Sequence, residues 1–413
     1  MNEKIELLCG QIFGAKRFEI FKFLCERADE NGFVFVTIDE MMKELDISKP
    51  TAINAFKFLE QKRLFKRLKN GFYELKLGDK MRLHNPLDMH LHLRDGAMLS
   101  LVAPFSARDF KAGVIMPNLV PPLTSKEALN AYKQRILKAC GDEKFTPLMT
   151  LFFQNYERKF LEQIRSEIFA IKLYPAGITT NSSSGVANFD IAHLKPTLQA
   201  MSDLQIPLLI HGETNDFVLD REREFAPIYA TLARTFPKLV IVMEHITTKA
   251  LCELLHQHEN LYATATLHHL MLTLDDVIGG KMQPHLFCKP IAKRVEDKEA
   301  LCELAFSGFE KLMFGSDSAP HPQSEKECCG CAAGIFSAPV ALCVLAQLFS
   351  EHSSEANLQK FISDNAVNLH KFSFDSDKFI TLTQKEWCVP QNYGNVVPFM
   401  AGKTLKWQVS ERI

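Results

Sequence analysis

The segment Met89-His-Leu-His-Leu93 places two histidines within a short apolar run. Side chains two residues apart on a β-strand project from the same face, so His90 and His92 point into one space while Leu91 points away. A pair of histidines arranged in this way is typical of metal binding. The apolar surroundings predict a buried parallel strand, whose C-terminal end opens onto a site.

Further candidate ligands close other short apolar runs along the chain. They are Lys172, His211, His245 and Asp317. Taken alone, each histidine is better explained as a solvated ring or a ring satisfied in the core. Catalytic residues of parallel α/β barrels lie at the C-terminal ends of the strands, and this ordered repetition favours a metal-dependent hydrolase over chance.

Eight apolar runs between residues 81 and 413 predict eight strands, mostly with helix-like segments between them. This is the strand count of a (β/α)8 barrel, so we expect an α/β, TIM-like domain over residues 79–413. The candidate ligands then come from the first, fourth, fifth, sixth and eighth strands. The runs lie near Met89, Val114, Leu148, Ile171, Leu209, Ile241, Ala263 and Phe314.

Lys172 is unusual among these ligands, because an ammonium group cannot bind a cation. Two neighbouring cations disfavour the charged form, and a neutral amine captures carbon dioxide to give a carbamate whose two oxygens bridge two metals. With four histidines and one aspartate, such a carbamate completes a ligand set suited to zinc. We therefore expect two zinc ions and an N6-carboxylated Lys172.

Several longer motifs surround these ligands, and the chain from about residue 80 to 413 resembles the class II dihydroorotases of the amidohydrolase superfamily. The match extends to the carboxyl end. The motifs are Asp88-Met-His-Leu-His-Leu-Arg-Asp-Gly96, Met116-Pro-Asn118, Lys172-Leu-Tyr-Pro-Ala176, Thr179-Thr-Asn-Ser182, His211-Gly-Glu213, Glu244-His-Ile-Thr-Thr248, Gly315-Ser-Asp-Ser-Ala-Pro-His321 and Val397-Pro-Phe-Met-Ala-Gly402.

This resemblance implies the reversible cyclisation of N-carbamoyl-L-aspartate to L-dihydroorotate, an early step of pyrimidine (UMP) biosynthesis. Two metals polarise the ring carbonyl and lower the pKa of bound water from about 16 to about 7. The family implies that Asp317 is the catalytic residue that shuttles the proton between water and the leaving nitrogen. It implies one metal on His90, His92 and Asp317, a second on His211 and His245, and carboxylated Lys172 between them.

Dihydroorotate carries a ring carboxylate, and a guanidinium presents a planar fork that matches it. The resemblance assigns this carboxylate to Arg94, Asn118 and His321, together with the backbone amide of Ala333. The alternative for Arg94 is a salt bridge with Asp95. This trio separates a dihydroorotase from relatives that cleave hydantoin or allantoin, which could share the metal centre.

Thr179 and Thr180 lie in the polar stretch of residues 177–185, whose composition indicates a loop. The family uses such a loop as a lid, and a flexible connector is the alternative. Lys289 departs from the family, which commonly has an apolar residue whose backbone carbonyl meets the substrate. A backbone contact survives a change of side chain, so we place Lys289 in the substrate pocket and expect a more polar pocket edge.

Residues 1–78 show a different pattern, with three helix-like segments and a strand before a hairpin at Asn70-Gly71. Thr37-Ile-Asp-Glu40 has the spacing of a capping box, and Ile53, Phe56 and Leu59 have core spacing. The pattern resembles a winged helix-turn-helix. Three roles are open for residues 1–78: DNA binding, contacts between subunits, or packing on the barrel. For the whole chain, the alternative to an enzyme is a catalytically silent barrel attached to a DNA-binding regulator. Basic residues on the third helix and wing are Lys49, Lys57, Lys62, Arg63, Lys66, Arg67 and Lys69.

The composition is that of a soluble enzyme, with 413 residues, 46% hydrophobic residues and a net charge of −1. We find no apolar stretch long enough to span a membrane and no leader, and the odd number of cysteines, 11, indicates reduced thiols in a cytoplasm. Cys328-Cys-Gly-Cys331 lacks a second ligand pair for a structural zinc. We interpret His268, His269 and His285 as structural or surface groups, and the family resemblance implies a homodimer.

Overall fold

The computed structural model describes residues 10–29, 32–62, 64–75 and 80–413. The chain divides into two compact units, Met1–Lys80 and Met81–Ile413. Within the described residues, no helix is long and apolar enough to cross a membrane.

The first unit combines helices with a small antiparallel sheet. In this sheet β3 lies in the centre and pairs with both β1 and β2. The elements are α1 (Ala15–Arg27), β1 (Phe33–Phe35), α2 (Ile38–Leu45), α3 (Lys49–Gln61), β2 (Phe65–Lys69) and β3 (Phe72–Leu75). The order of helices and strands agrees with the predicted pattern. Arg63, one of the predicted basic residues, lies outside the described residues.

Local sequence explains the helix boundaries of this unit. Thr37 and Glu40 form the predicted capping box at the start of α2. Ser48 caps α3, with Pro50 in its first turn. One core prediction was wrong, since Ile53 is 37% exposed. The buried stripe of α3 instead runs through Ala52, Ala55, Phe56 and Leu59, which follow the i, i+3, i+4, i+7 spacing of one helix face.

The second unit is built on eight parallel strands that follow one another in chain order. Each predicted apolar run falls within one of them. Backbone hydrogen bonds from Asp317 N to the His90 oxygen (2.9 Å) and from His92 N to the Ser318 oxygen (3.2 Å) connect the last strand to the first, so the barrel is nearly closed. The strands are β5 (Leu87–Leu91), β6 (Ala112–Ile115), β7 (Thr146–Phe152), β8 (Ala170–Leu173), β9 (Leu208–Ile210), β10 (Ile241–Met243), β11 (Leu261–Ala265) and β12 (Leu312–Phe314).

Helices follow most of the strands, as a barrel of this class requires. Between the strands they are α4 (Gly96–Asp109), α5 (Lys126–Cys140), α6 (Arg158–Ile164), α7 (Ile191–Asp203), α8 (Arg221–Thr235), α9 (Lys249–Leu255), α10 (Leu267–Met271), α11 (Leu274–Ile278) and α12 (Val295–Ser307). After β12 come α13 (Gln323–Lys326), α14 (Ala341–Glu351), α15 (Glu355–Gln359), a π-helical turn (Lys360–Asp364) and α16 (Asn365–His370).

A separate three-stranded sheet accompanies the barrel in this unit. The strands β13 (Phe379–Cys388) and β14 (Thr404–Arg412) form an antiparallel pair, and β4 (Lys80–His84) borders β13. The sheet therefore joins the beginning of the barrel unit to the end of the chain. The barrel strands themselves are almost fully buried, which explains why their sequences are continuous apolar runs.

Candidate metal centre and substrate pocket

The C-terminal ends of five barrel strands bring the six predicted metal ligands together. His90 lies in β5 and Lys172 in β8, whereas the other ligands lie on the turns that leave their strands. His211 follows β9 directly, His245 lies two residues after β10, and Asp317 lies three residues after β12. This placement agrees with the sequence expectation for a barrel site.

Three of these side chains converge on one point. His92 Nε2 lies 3.1 Å from Asp317 Oδ1, and His90 Nε2 lies 3.4 Å from the same oxygen. The two Nε2 atoms are 3.3 Å apart. His90, His92 and Asp317 are all buried, and their ligand atoms lie close enough together to hold a single cation. The structure therefore contains a candidate metal site at these three residues.

Lys172 and His245 lie in the same buried region and carry nitrogens that no protein group satisfies. The Nζ atom of Lys172 and the Nδ1 atom of His245 have no hydrogen-bond partner among the described residues. Burial lowers the pKa of Lys172 to about 8, although Glu244 and Asp317 oppose the shift. His211 Nδ1 is 3.1 Å from His245 Nε2. An unpartnered amine beside converging ring nitrogens fits a metal site, because a buried polar group without a partner is costly.

Two buried carboxylates orient the histidines. Glu244 Oε2 lies 2.6 Å from His90 Nδ1, and Glu213 Oε2 lies 2.7 Å from His211 Nε2. Each contact leaves the other ring nitrogen directed at the cluster, which is the usual carboxylate–histidine arrangement around metals. Burial opposes ionisation of Glu244, but Lys172 and His90 outweigh it and lower its pKa. Neither glutamate had a predicted role, although each stands within two residues of a ligand in its motif.

Burial lowers the pKa values of three candidate histidine ligands and so keeps their rings unprotonated, with lone pairs free to bind a metal. Burial lowers the pKa of His90 to about 4 and those of His92 and His245 well below their usual range. These rings are therefore neutral near pH 7, the form that binds metals. Burial raises the pKa of the Asp317 carboxyl, while nearby His90 opposes the shift. A bound cation would offset the cost of burying the ionised Asp317 carboxylate, so the donor set fits a metal ion.

Asp88 is a buried acid that the sequence analysis quoted without assigning a role. Its Oδ2 accepts a hydrogen bond from the Ser316 hydroxyl (2.6 Å), and its Oδ1 accepts one from the Ser316 backbone N–H (2.8 Å). Burial raises its pKa to about 7. Because Ser316 precedes Asp317, these bonds connect the strand of His90 to the turn that carries Asp317.

The predicted substrate residues surround the same cluster. One pocket is lined by the four candidate histidines, Asp317 and Tyr174, which had no predicted role, together with Arg94, Asn118, Thr179, Thr180, Lys289 and Ala333. His321 stands behind Arg94, with its Nε2 2.9 Å from Arg94 Nη2 and 3.1 Å from the Ala333 carbonyl oxygen. The alternative prediction for Arg94, a salt bridge with Asp95, is not observed, because Asp95 instead pairs with Arg135 at 2.8 Å.

The polar loop of residues 177–185 is braced from within and from two pocket walls. The buried Ser182 hydroxyl accepts from Thr179 N (3.0 Å) and donates to the Thr179 carbonyl oxygen (2.7 Å). From one wall, Asn118 Nδ2 donates to the Thr180 oxygen (3.1 Å). From the other, Lys289 Nζ donates to the Ile178 oxygen (2.7 Å). The structure therefore shows the loop attached over the pocket.

A second histidine cluster lies outside this pocket. His268, His269 and Cys288 are buried close together, at a spacing that a metal ion could use. Both ring nitrogens of His269 already have partners, however, in the Thr266 hydroxyl (2.9 Å) and the Pro290 carbonyl oxygen (2.9 Å). This cluster supports the turn that carries Lys289. His285 lies elsewhere, 2.7 Å from Glu327.

Comparison with known proteins agrees with this geometry. A family model described as amidohydrolase matches residues 103–372. Dihydroorotase from Helicobacter hepaticus is 43% identical over 337 residues, covering 80% of this chain and 98% of that protein. The crystal structure of Campylobacter jejuni dihydroorotase is 69% identical, covers 81% of this chain and 98% of that one, and has a TM-score of 0.78.

A third match is dihydroorotase from Saccharomyces cerevisiae, solved in complex with 5-fluoroorotic acid. It is 34% identical, covers 80% of this chain and 98% of its own, and has a TM-score of 0.76. These relatives match this chain over nearly their whole length, and five of the six candidate ligands line one pocket with Arg94 and Asn118. The chain belongs to the dihydroorotase family of the amidohydrolases.

Proposed function

We propose that the barrel unit interconverts N-carbamoyl-L-aspartate and L-dihydroorotate at a centre of two zinc ions. One ion would be held by His90, His92 and Asp317, and the other by His211 and His245. The observation that carries this proposal is the buried Nζ of Lys172, which lies among the ligand nitrogens and has no hydrogen-bond partner in the part of the chain that the structure describes. An amine whose pKa is lowered to about 8 by burial is available for carboxylation, and the carbamate would join the two metal positions.

Bound zinc ions would supply Lewis-acid polarisation of the ring carbonyl and a lowered pKa for water. The residues of the chain then have to move protons and hold the substrate. We assign the proton transfer to Asp317, which lies within reach of both His90 and His92 and whose pKa burial raises. A carboxylate of raised pKa is a better proton acceptor than an exposed one, and it returns the proton to the ring nitrogen on hydrolysis.

Arg94 supplies the charge for the substrate carboxylate in this proposal. Its guanidinium contacts the Pro320 oxygen and His321, and among the described residues it forms no ion pair with an acid. A half-buried cation that lines the pocket and has no acidic partner among the described residues is suited to an anionic ligand. Asn118, His321 and the Ala333 amide complete the carboxylate site, while Thr179, Thr180 and Lys289 contact the rest of the substrate.

The direct test is to strip the purified chain of metal, restore zinc, and measure both directions of the reaction beside Lys172→Ala. We expect zinc-dependent activity in the wild type and its loss in the variant. Zinc content per chain, measured beside the circular dichroism of the same sample, separates a lost metal from a lost fold. A folded, zinc-loaded wild type that leaves dihydroorotate unchanged would refute the substrate assignment, and hydantoin and allantoin would then be assayed.

For the first unit, we propose a winged helix-turn-helix that binds duplex DNA. The support is the element order α1-β1-α2-α3-β2-β3 with the sheet order β1-β3-β2, in which the β2–β3 hairpin would be the wing. Exposed cations lie on α3 and on this hairpin, where they are placed to meet phosphates. Those within the described residues are Lys49, Lys57, Lys62, Lys66, Arg67 and Lys69.

Replacing Lys66, Arg67 and Lys69 with glutamine tests this second function. We expect DNA affinity to fall and the salt dependence of binding to weaken, because fewer counterions are released. Wild-type chain that leaves duplex DNA unbound at low salt would exclude the role. Sedimentation of the same variants would show whether the unit instead supports the homodimer that the family resemblance implies.

A further inference from the structure

Lys289 stands where the family resemblance led us to expect an apolar residue, and the structure gives its side chain a partner. The Nζ atom donates a hydrogen bond of 2.7 Å to the carbonyl oxygen of Ile178. Ile178 itself is buried, and Lys289 is half-buried at the edge of the pocket. The ammonium group therefore reaches from the wall that follows β11 to the loop of residues 177–185.

This contact acts on the peptide unit that precedes Thr179. The carbonyl of that unit belongs to Ile178 and accepts from Lys289, while its N–H belongs to Thr179 and donates to the Ser182 hydroxyl (3.0 Å). Both polar ends of one peptide are thereby fixed. Since Thr179 lines the pocket, the orientation of this peptide sets the position of its hydroxyl.

The opposite wall holds the next part of the same loop. Asn118 Nδ2 donates to the Thr180 carbonyl oxygen, and the Asn118 backbone carbonyl accepts from Asn181 Nδ2, each at 3.1 Å. Asn118 also belongs to the proposed carboxylate site, so its bonds to the loop would change as substrate binds. Lys289 lies on the other side, where its turn is held from behind by His269 through the Pro290 oxygen.

We propose that Lys289 is a positioning residue, a latch that holds the loop of residues 177–185 closed over the dihydroorotate pocket through the Ile178 carbonyl. A charged donor makes a stronger hydrogen bond than a neutral one. An apolar residue at this position would keep its backbone contact with substrate but could not hold the loop. The latch therefore makes closure in this chain less dependent on bound substrate.

The test measures amide hydrogen exchange of residues 177–185 in the zinc-loaded enzyme without substrate. Lys289→Met should speed exchange by about tenfold or more, the factor expected when a charged hydrogen bond is lost, and Lys289→Arg should restore slow exchange. Lys281→Met is the matched control, because it removes an exposed lysine from the same segment and should leave the loop unchanged. The KM for dihydroorotate should rise in Lys289→Met more than kcat falls.

Unchanged loop exchange in Lys289→Met would overturn the latch, even if KM rose, because Lys289 would then act on substrate directly. The exchange readout does not depend on turnover, so an inactive wild type would refute the reaction without deciding the latch. Should Lys289→Met fold poorly, Lys289→Gln gives the same comparison with a neutral donor, and intermediate exchange is then expected.

Discussion

Two groups of buried histidines lie in the barrel unit, and their partners differ. His90 and His211 each contact a glutamate through one ring nitrogen and turn the other towards a neighbouring histidine. His269 contacts a threonine hydroxyl and a backbone carbonyl, while neither ring nitrogen of His268 has a partner among the described residues. Burial is common to both groups. A buried carboxylate partner therefore distinguishes His90 and His211 from His268 and His269.

The two groups of buried histidines also affect the stability of the fold in different ways. In the metal centre, converging lone pairs and an unpartnered lysine are unfavourable until a cation occupies the space. In the second cluster, both ring nitrogens of His269 have hydrogen-bond partners, and one of these bonds holds the turn at Pro290. We therefore expect substitutions at the first site to change metal content and activity, and substitutions at the second to change the stability of the fold.

The largest effect is expected for Asp317→Asn. The amide cannot accept the proton, so kcat should fall by about 100- to 10,000-fold, the range associated with general acid–base groups. Steady-state rates in both directions measure this. Asp297→Asn serves as the control, because Asp297 accepts from Lys249 N on the exposed surface. Retention of more than a tenth of the wild-type kcat would remove Asp317 from the proton transfer.

Arg94→Met separates substrate binding from metal binding. Loss of the half-buried charge assigned to the substrate carboxylate should lower kcat/KM by about 30- to 1000-fold, mainly through KM, with zinc content unchanged. Arg135→Met, which removes only the partner of Asp95, should behave as wild type. Normal kinetics of Arg94→Met towards carbamoyl aspartate would rule out the role assigned to the arginine.

Glu244→Gln tests whether the carboxylate partner defines the metal centre. Glutamine cannot accept from His90 as a carboxylate does, so zinc affinity should fall by about 10- to 100-fold, which a chelator titration measures. Glu222→Gln is the matched control, since Glu222 is also buried but accepts from Thr247 rather than a histidine. Equal zinc loss in the two variants would contradict the distinction drawn between the clusters.

The smallest effect is expected for His268→Leu. Burial lowers the pKa of His268 well below its ordinary value of 6.5, so the unfolded chain binds the proton more readily and the folded state loses stability as pH falls below 6.5. The leucine variant lacks this titrating group. When the pH is lowered from 7.5 to 5.5, the free energy of unfolding should therefore fall by about 1 kcal/mol more in the wild type than in the variant.

Denaturant unfolding at the two pH values measures this gain, and His256→Leu provides the control because His256 is exposed. A difference between wild type and His268→Leu that does not change with pH would show that His268 is satisfied in the folded state. Zinc content should remain unchanged in both variants.

The sequence alone determined the barrel and its six candidate ligands. Buried parallel strands are continuous apolar runs, so the predicted strand order was confirmed, and five of the eight strands end near a candidate ligand at the C-terminal edge. Helix caps in the first unit were also readable, because Thr37 and Ser48 bond to backbone only three residues away. Local spacing is sufficient for such features.

Only the tertiary structure decided which side chains form hydrogen bonds or ion pairs with the residues of the site. Glu244 lies beside His245 in the chain yet contacts His90, which is 154 residues away in sequence. Arg94 could have paired with Asp95, but folding places Arg135 there instead. The Lys289 contact with Ile178 likewise joins loops from different strands. Hydrogen-bond partners depend on distances between strand ends, which a linear pattern does not contain, and those distances arise when the barrel closes.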